Sequence, residues 1–105
     1  MSISAAVFDA VADPTRRALL DRLRSEGSLS LNALAEGLPM TRQAVTKHLD
    51  ALRSAGLVRV TRRGRERLHD LDDAPLRDLA TWLAPYAAEW DRRLVRLERH
   101  LEDNP

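Results

Sequence analysis

The chain has no cysteine, and of its 105 residues only 4 are glycine and 4% are aromatic. Without a thiol there is no disulfide framework, no thiolate metal site and no cysteine nucleophile. Long apolar runs are also missing. The longest, such as Ala5-Ala6-Val7-Phe8, fall far short of a bilayer span. The opening stretch MSISAAVFDAVADP has no basic segment and carries Asp9 and Asp13 within its apolar part, which argues against a secretory signal and predicts a cytoplasmic protein. What is there is a 44% apolar fraction, too high for a disordered or low-complexity chain, and a length that predicts one domain over residues 1–105 with no second core.

An excess of charge of one sign is absent too, since the net charge is +1. The distribution is nevertheless uneven. Residues 41–69 hold eight bases against Asp50 and Glu66, a local balance of +6, whereas residues 1–40 carry −1 and residues 70–105 carry −4. A basic middle between neutral and acidic flanks suits a face that binds a polyanion, although a solvated charged surface has the same composition.

Periodicity organises the chain. Ile3, Val7 and Ala10/Val11 recur at helical spacing, with Ser2 or Ser4 available as a cap. Asp13-Pro14 then places a capping carboxylate before a proline at the first helical position, and Ala18, Leu19, Leu20 and Leu23 give the apolar side of a second helix ended by Gly27. Ser30 caps a short helix over 31–36, closed by Gly37. Thr41 caps another that runs from Arg42 to about Ser54 and stops at Gly56. In that helix Val45, Leu49 and Leu52 face inward while Arg42, Gln43, Thr46, Lys47 and Asp50 face outward. Two helices joined through Gly37-Leu38-Pro39-Met40 match a helix-turn-helix unit.

The period then changes to two. Val58 and Val60 alternate with Arg59 and Thr61, Arg62-Arg63-Gly64-Arg65 reads as a turn, and Glu66 to Leu71 returns as a second strand. From Asp73 the helical period resumes. Leu76, Ala80, Leu83, Ala87, Trp90, Leu94, Leu97 and Leu101 form a seam over 26 residues, roughly 39 Å if helical throughout. Pro85 has no donor for the carbonyl of Thr81, so a kink or break is expected there. The seam is longer than a small core can cover, which predicts self-association. The expected interface comprises Val7, Leu83, Trp90, Leu94, Leu97 and Leu101, with 1–12 and 74–103 as dimerisation helices.

This order is that of a winged helix-turn-helix: mainly α (α+β), with a two-stranded β wing and a long C-terminal dimerisation helix. The chain resembles the ArsR/SmtB family of dimeric bacterial repressors, in a branch lacking the metal-binding cysteines. Asp13-Pro14-Thr15-Arg16-Arg17, the stretch Thr41 to Leu49, Ala55-Gly56-Leu57-Val58 before the Arg-Gly-Arg hairpin, and the tail from Trp82 to Leu101 carry the resemblance, which spans nearly the whole chain. It implies that the helix starting at Thr41 enters the DNA major groove. Groove chemistry agrees: Gln43 suits adenine, Arg42 suits guanine, and Thr46 suits a thymine methyl or an acceptor. Lys47 suits phosphate, Thr41 both caps the helix and reaches the backbone, and His48 is a packing residue or a phosphate contact. Arg62, Arg63 and Arg65 at the hairpin tip follow the backbone or enter a minor groove, unless they only guard a strand edge. Arg16 and Arg17 are weaker phosphate candidates.

The family's metal sites align with Ser30 and Asn32, and with Ala87, Glu89, His100 and Asp103, which lack key ligands. No metal and no cofactor is therefore assigned. His48, His69 and His100 are scattered, and neither a Gly-rich phosphate loop nor a Ser-centred elbow occurs, so no catalytic residue is assigned either. The expectation is a homodimeric regulator, most simply a repressor, whose partners are double-stranded DNA and its own second copy, with no membrane role and no assigned effector. A winged-helix adaptor that binds only protein is the competing expectation, and it has no need of the +6 window.

Overall fold

The computed structural model describes residues 3–103, so Ser2, one of the two candidate caps of the first helix, lies outside the described residues. The chain folds as α1 (Ala5–Ala12), α2 (Pro14–Glu26), β1 (Leu29–Ser30), α3 (Leu31–Ala35), α4 (Arg42–Ser54), β2 (Val58–Arg63), β3 (Glu66–Leu71) and α5 (Ala74–Asp103). Local chemistry sets each start. Ser4, Asp13, Ser30 and Thr41 each accept a backbone N–H three residues on, from Val7, Arg16, Ala33 and Ala44. The N–H of Arg16 holds the Asp13 carboxyl below its ordinary value, because that bond favours the charged form. Helix α4 ends in a Schellman turn: Gly56, at φ 78°, donates to the Arg53 carbonyl and Leu57 donates to that of Leu52, both at 2.9 Å.

The core lies where α1, α2, α3, α4 and β2 converge. Leu34, Val45, Leu52 and Leu57 are fully buried there, with Leu19, Leu23 and Leu49 beside them. The inward residues of α4 are the three that the helical period selects. Arg22 ties α2 to α3 by donating to the carbonyls of Ala33 and Leu34 at 2.8 and 3.3 Å, while also pairing with Glu26 at 2.8 Å. The Glu26 bond raises the Arg22 guanidinium and lowers the Glu26 carboxyl from their ordinary values.

The wing hairpin pairs Val58 with Leu71 through Arg63 with Glu66, so its turn is the two residues Gly64-Arg65, and Arg62 and Arg63 belong to the strand. Gly64 at φ 60° takes the position where a type II′ turn requires positive φ. A third strand extends the expected two-stranded wing. Residues 29 and 30 pair antiparallel with His69 and Leu68, giving the order β1-β3-β2. Nδ1–H of buried His69 donates to the Leu29 carbonyl at 3.2 Å. The hydroxyls of Ser28 and Thr61 both donate to Asp70, strapping the segment before β1 to β2 across β3. Those bonds, Ser28's first, hold the Asp70 carboxyl below its ordinary value.

Helix α5 runs continuously through Pro85, so the break that the sequence allows there does not occur. The Thr81 carbonyl that Pro85 leaves without a donor lies on an exposed turn, where water can satisfy it. Leu76 packs on the core, but no residue of α5 is fully buried. The helix is about 45 Å long at 1.5 Å per residue, and it projects from the body. The Cα radius of gyration is 18.2 Å, against about 13 Å for a compact chain of this length. Among the described residues no helix is long and apolar enough to cross a membrane.

Leu52 seats α4 from beneath with no exposed surface. Leu52→Ala is expected to lower unfolding stability by about 2–5 kcal/mol, measured from the midpoint of a urea titration.

Candidate nucleic-acid interface

Helix α4 presents its first turns to solvent. Thr41, Arg42, Gln43, Thr46 and Lys47 are exposed, and Gln43, Thr46 and Lys47 share a shallow depression with Arg42 and Leu31. The Thr41 hydroxyl accepts from Ala44 N–H at 3.1 Å, so its oxygen serves the helix start. The Thr46 hydroxyl donates to the Arg42 carbonyl at 2.9 Å. Its proton is thereby engaged within the helix, and its methyl group remains for an outside contact.

The wing and α4 meet at one groove. Arg42 from the first turn of α4 and Arg65 from the hairpin turn line the same groove of about 290 Å³, together with Ser30, Asn32, Glu66 and Arg67, three guanidinium groups against one carboxylate. Arg62 stands directly opposite Arg67 across the hairpin. Like charges so placed repel and weaken the ladder. Among the described residues none of Arg62, Arg63, Arg65 or Arg67 forms an ion pair, so their charge is available to an external polyanion. The sequence-based set ends at Arg65 and omits Arg67. A two-residue turn with glycine first is the signal that places Arg67 opposite Arg62 and brings it into the set.

His48 is half-buried, and its Nδ1 accepts from Nε–H of Arg16 on α2 at 3.1 Å. A ring that accepts at Nδ1 carries its proton at Nε2 when neutral. Arg16 is therefore a positioning residue for His48, which sequence spacing of 32 residues does not reveal. Arg17 is engaged elsewhere. Its guanidinium donates to the carbonyls of Val11 and Ala12 at 2.8 and 3.0 Å, closing the C-terminal end of α1. Those helix-end carbonyls account for its position without any phosphate contact.

The expected dimer residues divide in two. Leu83, Trp90, Leu94, Leu97 and Leu101 are exposed along α5, with Trp90 at 62% and Leu101 at 61%. Val7 does not join them; it is 4% exposed and belongs to the chain's own core. One helical position changes the face, and Phe8 is the α1 residue that reaches α5. Its ring meets Trp82 edge to face with centroids 5.6 Å apart, and Trp82 lies 5.2 Å from Tyr86. The sequence pattern placed neither Phe8 nor Tyr86 on this face. At the positions aligned with metal ligands, the Ser30 hydroxyl caps α3 and Asn32 lies on the rim of the cationic groove.

A family model described as a helix-turn-helix domain matches residues 11–61. The transcriptional repressor SdpR of Bacillus subtilis is 30% identical over 88 residues, 84% of this chain and 97% of that protein. An ArsR-like transcriptional regulator from Rhodococcus sp. RHA1 is 42% identical, with a TM-score of 0.69 over 90% of this chain and 89% of that one. The homodimeric winged helix-turn-helix DNA-binding domain of Mb0332 from Mycobacterium bovis, a possible ArsR-family transcriptional regulator, is 29% identical. Its TM-score is 0.60, over 86% of this chain and 80% of that one.

The Arg16 contact makes a spectroscopic prediction. In 15N-detected imidazole spectra near pH 8, His48 is expected in the Nε2–H form, and Arg16→Ala is expected to return it toward a mixture of tautomers. An unchanged spectrum would mean that Arg16 does not orient the ring.

Proposed function

This chain belongs to the ArsR/SmtB family of winged helix-turn-helix transcriptional regulators, and from that premise we propose that it is a cytoplasmic homodimeric repressor of an inverted-repeat operator. Residues 1–105 act as one winged-helix domain, with Phe8 of α1 and residues 74–103 forming the dimer interface. One observation carries the reading: Arg42 of α4 and Arg65 of the wing line a single groove on the same side of the molecule, where three arginines stand against the one carboxylate of Glu66 and, among the described residues, none of the three forms an ion pair.

Gln43 and Arg42 then address base edges from the start of the helix, the Thr46 methyl group meets a thymine methyl, and Lys47 takes a phosphate. Thr41 reaches the backbone while capping. His48 offers Nε2–H to a phosphate, in a position set by Arg16. The wing arginines Arg62, Arg63 and Arg65 follow the flanking backbone or the minor groove. Two copies joined along Leu83, Trp90, Leu94, Leu97 and Leu101, with Phe8 at the base, place two α4 helices in successive major grooves about 10 bp apart. Repression is steric, by occupation of a promoter. The likeness to SdpR, itself described as a repressor, and to a homodimeric Mycobacterium bovis domain supports both parts of the proposal.

The primary test is fluorescence-anisotropy titration with the duplex upstream of the chain's own gene, at two salt concentrations and against a scrambled duplex. Preferential, strongly salt-dependent binding is the expected result; equal affinity for both duplexes contradicts the proposal. Gln43→Ala is expected to cost about 1–3 kcal/mol on the proper site and to relax preference at one or two base positions. Arg63→Ala is expected to weaken all sequences alike and to reduce the salt slope by about one.

The dimer is tested by Leu94→Glu combined with Leu97→Glu. In sedimentation velocity the variant is expected to run as a monomer and to lose operator affinity. A persistent dimer would move the interface elsewhere.

A further inference from the structure

Beside the proposed reading face, sharing Thr46 with it, lies a partly enclosed cavity of about 130 Å³ between α4 and the sheet. Its apolar lining is Leu31, Leu49 and Val60, with the buried ring of His69 alongside. Its polar lining is Thr46, Asp50 and Arg53 from α4, and Arg67 from β3. Among the described residues none of Asp50, Arg53 and Arg67 forms an ion pair, so the cavity carries two guanidinium groups against one carboxylate, an unneutralised +1.

We propose that this cavity is a binding site for a small aliphatic monocarboxylate, and that its occupant weakens DNA binding. Size, polarity and charge each narrow the ligand. A cavity of about 150 Å³ accepts benzene, so this one takes a molecule of at most about six non-hydrogen atoms. An alkyl tail matches Leu49 and Val60, and one negative charge neutralises the excess at the rim. Orientation follows from His69. Its Nδ1–H already donates to the Leu29 carbonyl and is not available to an incoming group. A carboxylate therefore stays at the arginines, which bind it through parallel N–H bonds, and the tail points inward.

The effect on DNA rests on the reading of α4 and the wing given above. Arg67 lines both this cavity and the groove that holds Arg42 and Arg65. A carboxylate held by Arg67 removes one unit of positive charge from the DNA face. By linkage, DNA weakens the acid by the same factor.

The test uses the full chain and butyrate as the probe, with 1-butanol as its uncharged counterpart. Methyl-resolved NMR of the DNA-free protein is expected to show saturable butyrate shifts at Leu31, Leu49 and Val60. Butanol and the exposed-site variant Arg67→Gln are each expected to lower the apparent affinity at least tenfold. Anisotropy in saturating butyrate is expected to show operator affinity several-fold weaker than in chloride at equal ionic strength. No saturable shift, shifts elsewhere, or equal binding of butanol would overturn the site. Saturable binding with unchanged operator affinity would overturn the coupling. If the shifts saturate as expected while no duplex is bound preferentially, the DNA reading fails and the acid site stands.

Discussion

Helix α5 extends for 30 residues without fully burying one of them in its own chain, and it leaves two tryptophans and four leucines exposed to water. Its apolar residues recur along one seam, and Phe8 and Tyr86 widen the patch at the base. A contiguous apolar surface of this extent is costly in water, and monomeric proteins rarely carry one. The helical body cannot cover it, since its core is already filled by residues of α1 through β2. Covering the seam with a second copy satisfies that constraint and at the same time sets the separation of two α4 helices. The proposed function depends on this link. A single reading head on a rigid body recognises a few base pairs, whereas two at fixed spacing recognise a symmetric site.

At the other end of the molecule, stability gives way to charge. Arginines 62 and 67 face each other across a hairpin that would be firmer with an opposite-charge pair, and among the described residues neither forms an ion pair. Beneath this surface the structure is tightly specified. The Thr41 cap and the Schellman turn at Gly56 define both ends of α4, and fully buried Val45 and Leu52 fix its rotation about its axis. The polar residues of α4 can therefore project outward in one register. Violation of a local rule at a surface, supported by strict agreement below it, is the pattern that binding sites produce.

Much of this is legible in the sequence wherever the cause is local. Ser30, Asp13 and Thr41 announce helix starts because a side-chain oxygen needs only a backbone three residues on, and the period of α4 selects its buried face directly. What escapes depends on distant partners. Strand β1 is two residues long and exists because β3 is beside it. The Arg16–His48 bond joins two helices, and Arg17 turns back to close α1. Val7 and Phe8 are adjacent, and a rotation of one position sends the smaller residue to the core and the ring to α5. Propensity marks Pro85 as an interruption, yet on an exposed helix the orphaned carbonyl is left to solvent and the helix continues.

The absence of cysteine makes the central claim directly measurable. A single Gln43→Cys substitution gives one spin label per chain, at the start of α4, and double electron–electron resonance then reports the distance between the two copies. A dimer joined along α5 predicts a single, narrow distribution centred at about 35 Å, one helical pitch of DNA, or a whole turn farther. The absence of dipolar modulation, or a broad distribution without a maximum, would show that the α5 seam does not hold two reading heads at a fixed separation.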